Sequence, residues 1–212
     1  MPLFDLSVPI RDGVDWYRDP TTPAVRLKNV GSIEKLGWVS QTLTLQVLNG
    51  TTYLETSGHM YPDGPSIDQV PPEKLLCRAH VVPVTPAGQE LAVPESPLAQ
   101  FRAGEDALLL YCGWDAHLED PKFYSSSPYF SKPLQSWILD MQPSILGGDM
   151  VSYDHPADAA MPFLRTYFRR GGMILCPLTG LGKVGRRTVT LCAAPLKLVG
   201  ANAAPCRALA WF

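Results

Sequence analysis

Residues 40–61 read SQTLTLQVLNGTTYLETSGHMY. From Ser40 to Leu48 apolar and polar side chains alternate strictly, the period-2 pattern of a half-buried strand. That strand is expected to lead directly into a polar segment, Asn49 to Tyr61, which contains one of only four histidines in the chain. Asn49, Tyr53, Glu55 and His59 are close enough on a strand and turn to converge on one pocket. His59 is the best general acid/base candidate, because an imidazole titrates near neutrality. The spacing is that of a metal site, yet only His59 is a good metal ligand.

Strand patterns recur on both sides of this stretch. They cover Leu3 to Ser7, His80 to Val84, Ala107 to Tyr111, Ser144 to Leu146, Met173 to Cys176, and Val189 to Leu198 with a break at Pro195. Helices are fewer. Ser131 to Met141 opens on a Ser N-cap and spaces Leu134, Trp137, Ile138 and Met141 at helical intervals. Ala157 to Arg170 gathers Met161, Leu164, Tyr167 and Phe168 on one side and ends in two arginines before Gly171 and Gly172, a good C-terminal signature despite Pro162. A third, short helix spans Pro72 to Leu76. The 21 prolines and 17 glycines favour short elements joined by turns. Strand and helix alternate only in the second half, which predicts an α/β fold with a mixed sheet and additional β-hairpins from the first half.

Composition narrows the class. With 212 residues, 46% hydrophobic and 18% charged, the chain suits one domain over 1–212 and is not a disordered polymer. A formal net charge of −2 gives no electrostatic footprint for nucleic acid or a membrane surface. No apolar run nears the roughly 20 residues that span a bilayer, and MPLFDLSVPIRDG lacks the layout of a secretory signal, so a cytoplasmic location is expected. Cys77, Cys112, Cys176, Cys192 and Cys206 form no C-x-x-C pair, and most of them read as buried reduced thiols.

Other motifs carry less. GLGKVG, residues 180–185, lacks Walker spacing and reads as a glycine-rich turn. Cys112-Gly113-Trp114-Asp115 follows the apolar strand ALLLY, where a loop either lines a pocket or caps the core. His80 and His117 have no carboxylate or histidine at a useful spacing and read as surface or packing residues. Asp154 either caps the second long helix or orients His155. No G-x-S-x-G elbow is present. A Cys176–His59 nucleophilic pair can be drawn, although the sequence does not show that the two meet.

Residues 49–59 resemble the signature H-x-G-T-H-x-D-x-P-x-H of the cyclase or kynurenine-formamidase-like family. Asn49 and Tyr53 stand at its first two histidines, Glu55 at its aspartate, and His59 at its last histidine. The resemblance runs along nearly the whole chain. DLSVPI is similar to the family's opening strand, DWYRDPTTP stands at its Pro-Gly-Asp loop, and DGPSIDQVPPEKL follows the signature as in the family. LLLYCGWD, SPYFSKPLQSWILD, GGDMVSYDH and APLKLVGANAAPCRALA resemble its later segments. In MPFLRTYFRRGGMILCPL, Leu164 stands at a further histidine ligand and Cys176 at a glutamate.

The resemblance implies a swivelling β/α/β core, a homodimer or homotetramer with the site near a subunit interface, and a zinc or manganese ion that activates water for amide or lactam hydrolysis. Of five metal positions, only Glu55 remains a carboxylate, while Asn49, Tyr53, Leu164 and Cys176 replace the rest. Neither a metal nor another cofactor is therefore expected, although a rescued site from Glu55, Cys176 and His59 is an alternative. Catalysis is assigned to His59, Glu55 and Tyr53, with Asn49, Trp16, Trp114 and Cys176 binding substrate. The expected chemistry is acid/base work on a carbonyl-rich small molecule, closing a ring or removing water, as in polyketide assembly. Two alternatives are an amide, lactam or lactone hydrolase with an altered metal site or a Cys nucleophile, and a non-catalytic ligand-binding relative.

Overall fold

A computed structural model describes residues 1–18, 22–95, 98 and 100–212. Four parallel strands form the middle of its main sheet: Leu76–Pro83, Ala107–Tyr111, Ile145–Gly148 and Met173–Cys176. The last three are continuously apolar because both of their faces are covered, whereas the first carries Arg78 and His80 and is buried only from Ala79 to Val82. On one face Leu108, Leu110, Leu146 and Ile174 meet the helices Lys132–Met141 and Pro162–Arg169. On the other, Val81, Leu109 and Leu175 pack against Leu6, Leu54 and Leu191.

Across the sheet the order is Leu3–Asp5, Ala203–Trp211, Arg187–Pro195, the four parallel strands, then Tyr53–Glu55. Residues 203–205 also pair with Tyr53–Glu55, so the sheet curls round and partly closes into a barrel. Alanines 193, 204, 208 and 210 sit in this enclosed core, where little room is left for larger side chains. Side chains singled out in the sequence cap both long helices. The Ser131 hydroxyl accepts the Leu134 N–H, and the Asp154 carboxylate accepts the N–H groups of Phe163 and Leu164, at 3.0 Å each. Asp154 is thus the cap of its helix. That helix begins at Pro162 rather than Ala157, because proline is accommodated in a first turn and not in a helix interior.

The Ser40 to Leu48 reading needs correction. Only Gln41–Thr44 is a strand, and it pairs with Arg26–Asn29 in a separate two-stranded ribbon whose eight residues are all exposed. Its alternation marks a ribbon standing outside the main sheet, not a half-buried strand, and irregular chain separates it from Tyr53. The other expected strands occur with ends shifted by a few residues. Asp19, Pro20 and Thr21 of the DWYRDPTTP loop lie outside the described residues. Among the described residues no helix is long and apolar enough to cross a membrane.

Candidate active site

The Tyr53–Glu55 strand lies antiparallel to Met173–Cys176, with Tyr53 opposite Cys176 and Glu55 opposite Ile174. Alternation along a strand sends Leu54 into the barrel core and leaves Tyr53 and Glu55 on the helix side. One short turn later, in the 3-10 segment Ser57–His59, His59 returns above them. This turn is tight: a Cβ on Gly64 would come within 2.8 Å of the Gly58 Cα. Side chains fix it from outside. The Thr56 hydroxyl is 2.5 Å from the Pro65 carbonyl, Tyr61 donates to the Arg165 carbonyl at 3.2 Å, and the Arg169 guanidinium lies 3.7 Å from the Tyr61 ring centre.

Tyr53, Glu55 and His59 share a cavity of about 310 Å³ with Tyr17, Tyr124 and Tyr153. Glu55 is 4% exposed and forms its floor, whereas His59 is at its mouth. His59 Nδ1 is 3.2 Å from Glu55 Oε1, an ion-pair distance without hydrogen-bond alignment, and Oε1 has no hydrogen-bond partner. Burial pushes the Glu55 carboxyl up to about 8 and pulls the His59 imidazole below its ordinary value. Near neutrality Glu55 therefore keeps its proton while His59 lacks one. An acid and a base stand in contact, which is the arrangement that proton-transfer chemistry requires.

The thiol of Cys176 is fully buried and donates to the Tyr53 hydroxyl at 3.2 Å. Burial pushes it up to about 12, so it is not a thiolate near neutrality. Burial likewise holds the Tyr53 and Tyr153 phenols well above the usual range, and Cys176 and Glu55 add to the effect. Tyr153 Oη approaches that thiol without completing a hydrogen bond. No hydrogen bond joins Cys176 to His59 among the described residues.

Three sequence-predicted residues stand elsewhere. Asn49 is fully buried and its amide is spent on structure: Oδ1 accepts the Trp16 N–H at 2.9 Å, and Nδ2 donates to Asp15 at 3.1 Å. Trp16 packs on Phe123 with ring centres 5.2 Å apart, beside a separate cavity of about 670 Å³ near Asp115 and Glu119. The Trp114 indole donates to the Phe123 carbonyl at 3.1 Å, and its loop is held by Asp149, which accepts the N–H groups of Cys112, Gly113 and Trp114. The pocket's aromatic walls are the tyrosines instead, which lie far apart in sequence and give no local signal. Leu164 and His155 also line it, and His155 Nδ1 accepts the Ala157 N–H at 3.1 Å.

Elsewhere, GLGKVG is a turn enclosing the short helix Leu181–Val184, flanked by Gly180 and Gly185 at positive φ. His117 is exposed beside Trp114. His80 packs in the interior as expected, but it does meet a carboxylate, Asp106, at 3.1 Å. All five cysteines are free, with Cys176 and Cys206 buried and the other three half-buried.

The sequence from residue 4 to 155 matches the family model of the Cyclase family, described as "Putative cyclase". The chain belongs to this family. Solved structures share its fold over nearly all of its length. One described as a predicted metal-dependent hydrolase from Bacillus stearothermophilus is 21% identical, with a TM-score of 0.79 and coverage of 99% of this chain and 97% of the other. Isatin hydrolase A from Ralstonia solanacearum is 18% identical, with a TM-score of 0.80 and coverage of 99% and 91%. A potential metal-dependent hydrolase with cyclase activity is 23% identical, with a TM-score of 0.76 and coverage of 99% and 96%. No curated protein matches. Family and neighbours are thus of cyclase or hydrolase type.

Whether this member of the Cyclase family fits a metal can be tested on its donors. The Asn49 amide is spent elsewhere, Leu164 offers no donor, the Tyr53 phenol is held protonated, and the Cys176 thiol is buried against it. Glu55 and His59 remain, two donors where zinc takes three or four. Among the described residues, no group of three or more His, Cys, Asp or Glu is placed to hold a metal ion. The donor set does not fit a metal held in the family manner.

Proposed function

We propose that the chain is a metal-independent enzyme of the Cyclase family, in which Glu55 and His59 carry out acid/base chemistry on a carbonyl-rich small molecule. The supporting observation is the buried, unpartnered Glu55 Oε1 lying 3.2 Å from the His59 ring. His59 Nε2 takes a proton from the carbon next to a carbonyl. That carbon then bonds to a second carbonyl carbon in the same molecule, whose oxygen receives the Glu55 proton and becomes a hydroxyl. The imidazolium passes its Nδ1 proton to Glu55 across their contact, and exchange with solvent returns the imidazole to its starting tautomer, so the cycle closes with no redox change and no co-reactant but water. On this reading the Tyr53 hydroxyl, which also lines the cavity, steadies the enolate oxygen. Loss of the hydroxyl as water uses the pair in the same sense: His59 takes the remaining proton from the carbon next to the carbonyl and Glu55 protonates the departing hydroxyl.

Turnover of polyketone or hydroxy-ketone substrates by purified protein, with and without His59→Ala, tests this reading. Stoichiometric zinc or manganese bound to active protein would defeat metal independence. The hydrolase neighbours favour a second reading, hydrolysis of an amide, lactam or lactone, which loss of activity on chelation would support. If His59→Ala alters neither ligand binding nor turnover, His59 has no part in any of these readings, whereas ligand binding with no turnover in the unaltered chain would favour a non-catalytic binding role. We also propose self-association through the Arg26–Thr44 ribbon, which exposes Leu27, Val30, Ile33, Leu36, Trp38 and Leu43 together. Sedimentation of Trp38→Glu tests it, with a shift toward monomer expected.

A further inference from the structure

Among the described residues that line the Glu55 pocket, none is a lysine or an arginine. Three are carboxylic: Glu55, Asp154 and Asp158. Asp154 has its charge answered by the helix N–H groups of Phe163 and Leu164, and Asp158 accepts the Ala160 N–H at 3.3 Å. Neither histidine has its Nδ1 free for a ligand: that of His59 is turned to Glu55 Oε1 at 3.2 Å, and that of His155 accepts the Ala157 N–H. A carboxylate entering this space would lose water and gain no fixed cation, a cost the protein does not offset.

Two groups inside want partners of another kind. Glu55 Oε1 and Tyr153 Oη are buried without hydrogen bonds, on residues that are 4% and 6% exposed and both line the cavity. Buried polar groups are seldom left unpaired, and two in one cavity mark where ligand atoms are received. We propose that the pocket selects uncharged, oxygen-rich ligands, whose carbonyl or hydroxyl oxygens are held by the Tyr153 hydroxyl and the Glu55 carboxyl, and that it rejects carboxylates. This rests on the reading of the pocket as the working site and adds the charge class of its substrate. It also means that a carboxylate formed by hydrolysis would not be retained.

Calorimetric titration of the full chain near neutral pH with 2,4-dihydroxybenzamide and 2,4-dihydroxybenzoate, matched in shape and differing by one charge, tests the inference. The amide is expected to bind at least about tenfold tighter, the scale of one buried charge left without a partner. Tyr153→Phe is expected to weaken the amide roughly fivefold while leaving thermal stability unchanged or raised, since its hydroxyl has no partner to lose. A purely packing tyrosine would change neither affinity. Ser125→Arg, at an exposed position on the pocket wall, is expected to narrow or reverse the preference. Equal or tighter binding of the benzoate to the unaltered chain overturns the inference, as does binding of neither at millimolar concentration. The two readings fail separately. Loss of turnover in His59→Ala with no charge preference sinks only the selectivity, whereas a clear preference with undiminished turnover in His59→Ala sinks only the catalytic role.

Discussion

Two buried carboxyls, each beside a histidine, are treated in opposite ways. Asp106, just before the Ala107–Tyr111 strand, meets Arg78 at 2.6 Å, Arg102 at 2.9 Å and His80 at 3.1 Å. Burial alone would raise it, but the bonds from Arg78, the Arg102 backbone and side chain, and His80 outweigh burial and leave it at about 2. Glu55 receives no such donors, and burial takes it to about 8. Desolvation acts on both, so the difference is the supply of donors. A satisfied carboxylate braces the fold. An unsatisfied carboxyl retains a proton that it can give away.

The largest expected effect comes from His59→Ala, which should lower turnover by about 10²–10⁴-fold with unfolding unchanged within error. Matching His80→Ala should instead act on stability. Next comes Asp106→Asn, which removes the shared acceptor of two arginines and should cost about 2–3 kcal/mol in urea unfolding, discounted because both guanidinium groups are partly exposed. A variant as stable as the parent would erase the distinction between the two clusters.

The pH dependences should also run in opposite senses. Glu55 has a folded value raised above its unfolded one, so its contribution is full below about 4.5 and is lost as pH rises through about 8. Asp106 is lowered, so its contribution is present above about 3.8 and is lost as pH falls through about 2. Glu55→Gln should flatten the alkaline fall in melting temperature and leave the acid fall in place. In activity, the competent pair is protonated Glu55 with neutral His59. A bell is expected, with an acid limb below about 6.5 and an alkaline limb near about 8, the latter absent in Glu55→Gln. The smallest effect belongs to Cys176→Ser, which should cost less than about tenfold in turnover because the thiol stays protonated and buried. A loss as large as that of His59→Ala would restore the thiol nucleophile.

Much of the fold was legible in local patterns. ALLLY and the segment Met173–Cys176 are strands buried on both faces, and Ser131 caps the helix its spacing announces. Local pattern failed at Ser40 to Leu48, where period-2 alternation does not reveal whether a ribbon joins the sheet or stands away from it. It was also silent on Tyr53–Glu55, which is only three residues long and is a strand because Met173–Cys176 and Ala203–Trp211 flank it. In the site, Glu55 and His59 could be read from four-residue proximity, and the loss of family ligands was visible at Asn49, Tyr53, Leu164 and Cys176.

Alone, the sequence determined the family resemblance, the helices, the parallel strands and the near pair Glu55 and His59, because each depends on residues close in the chain or on motif identity. Tertiary structure decided which groups surround that pair. It spent Asn49 on the Trp16 backbone, moved both tryptophans to another cluster, and brought Tyr17, Tyr124 and Tyr153 around Glu55. It also gave Asp106 its arginines and left Glu55 without any. Proton affinity in a buried carboxyl depends on which donors lie within about 3 Å, and that is set by packing between distant segments rather than by neighbours in sequence.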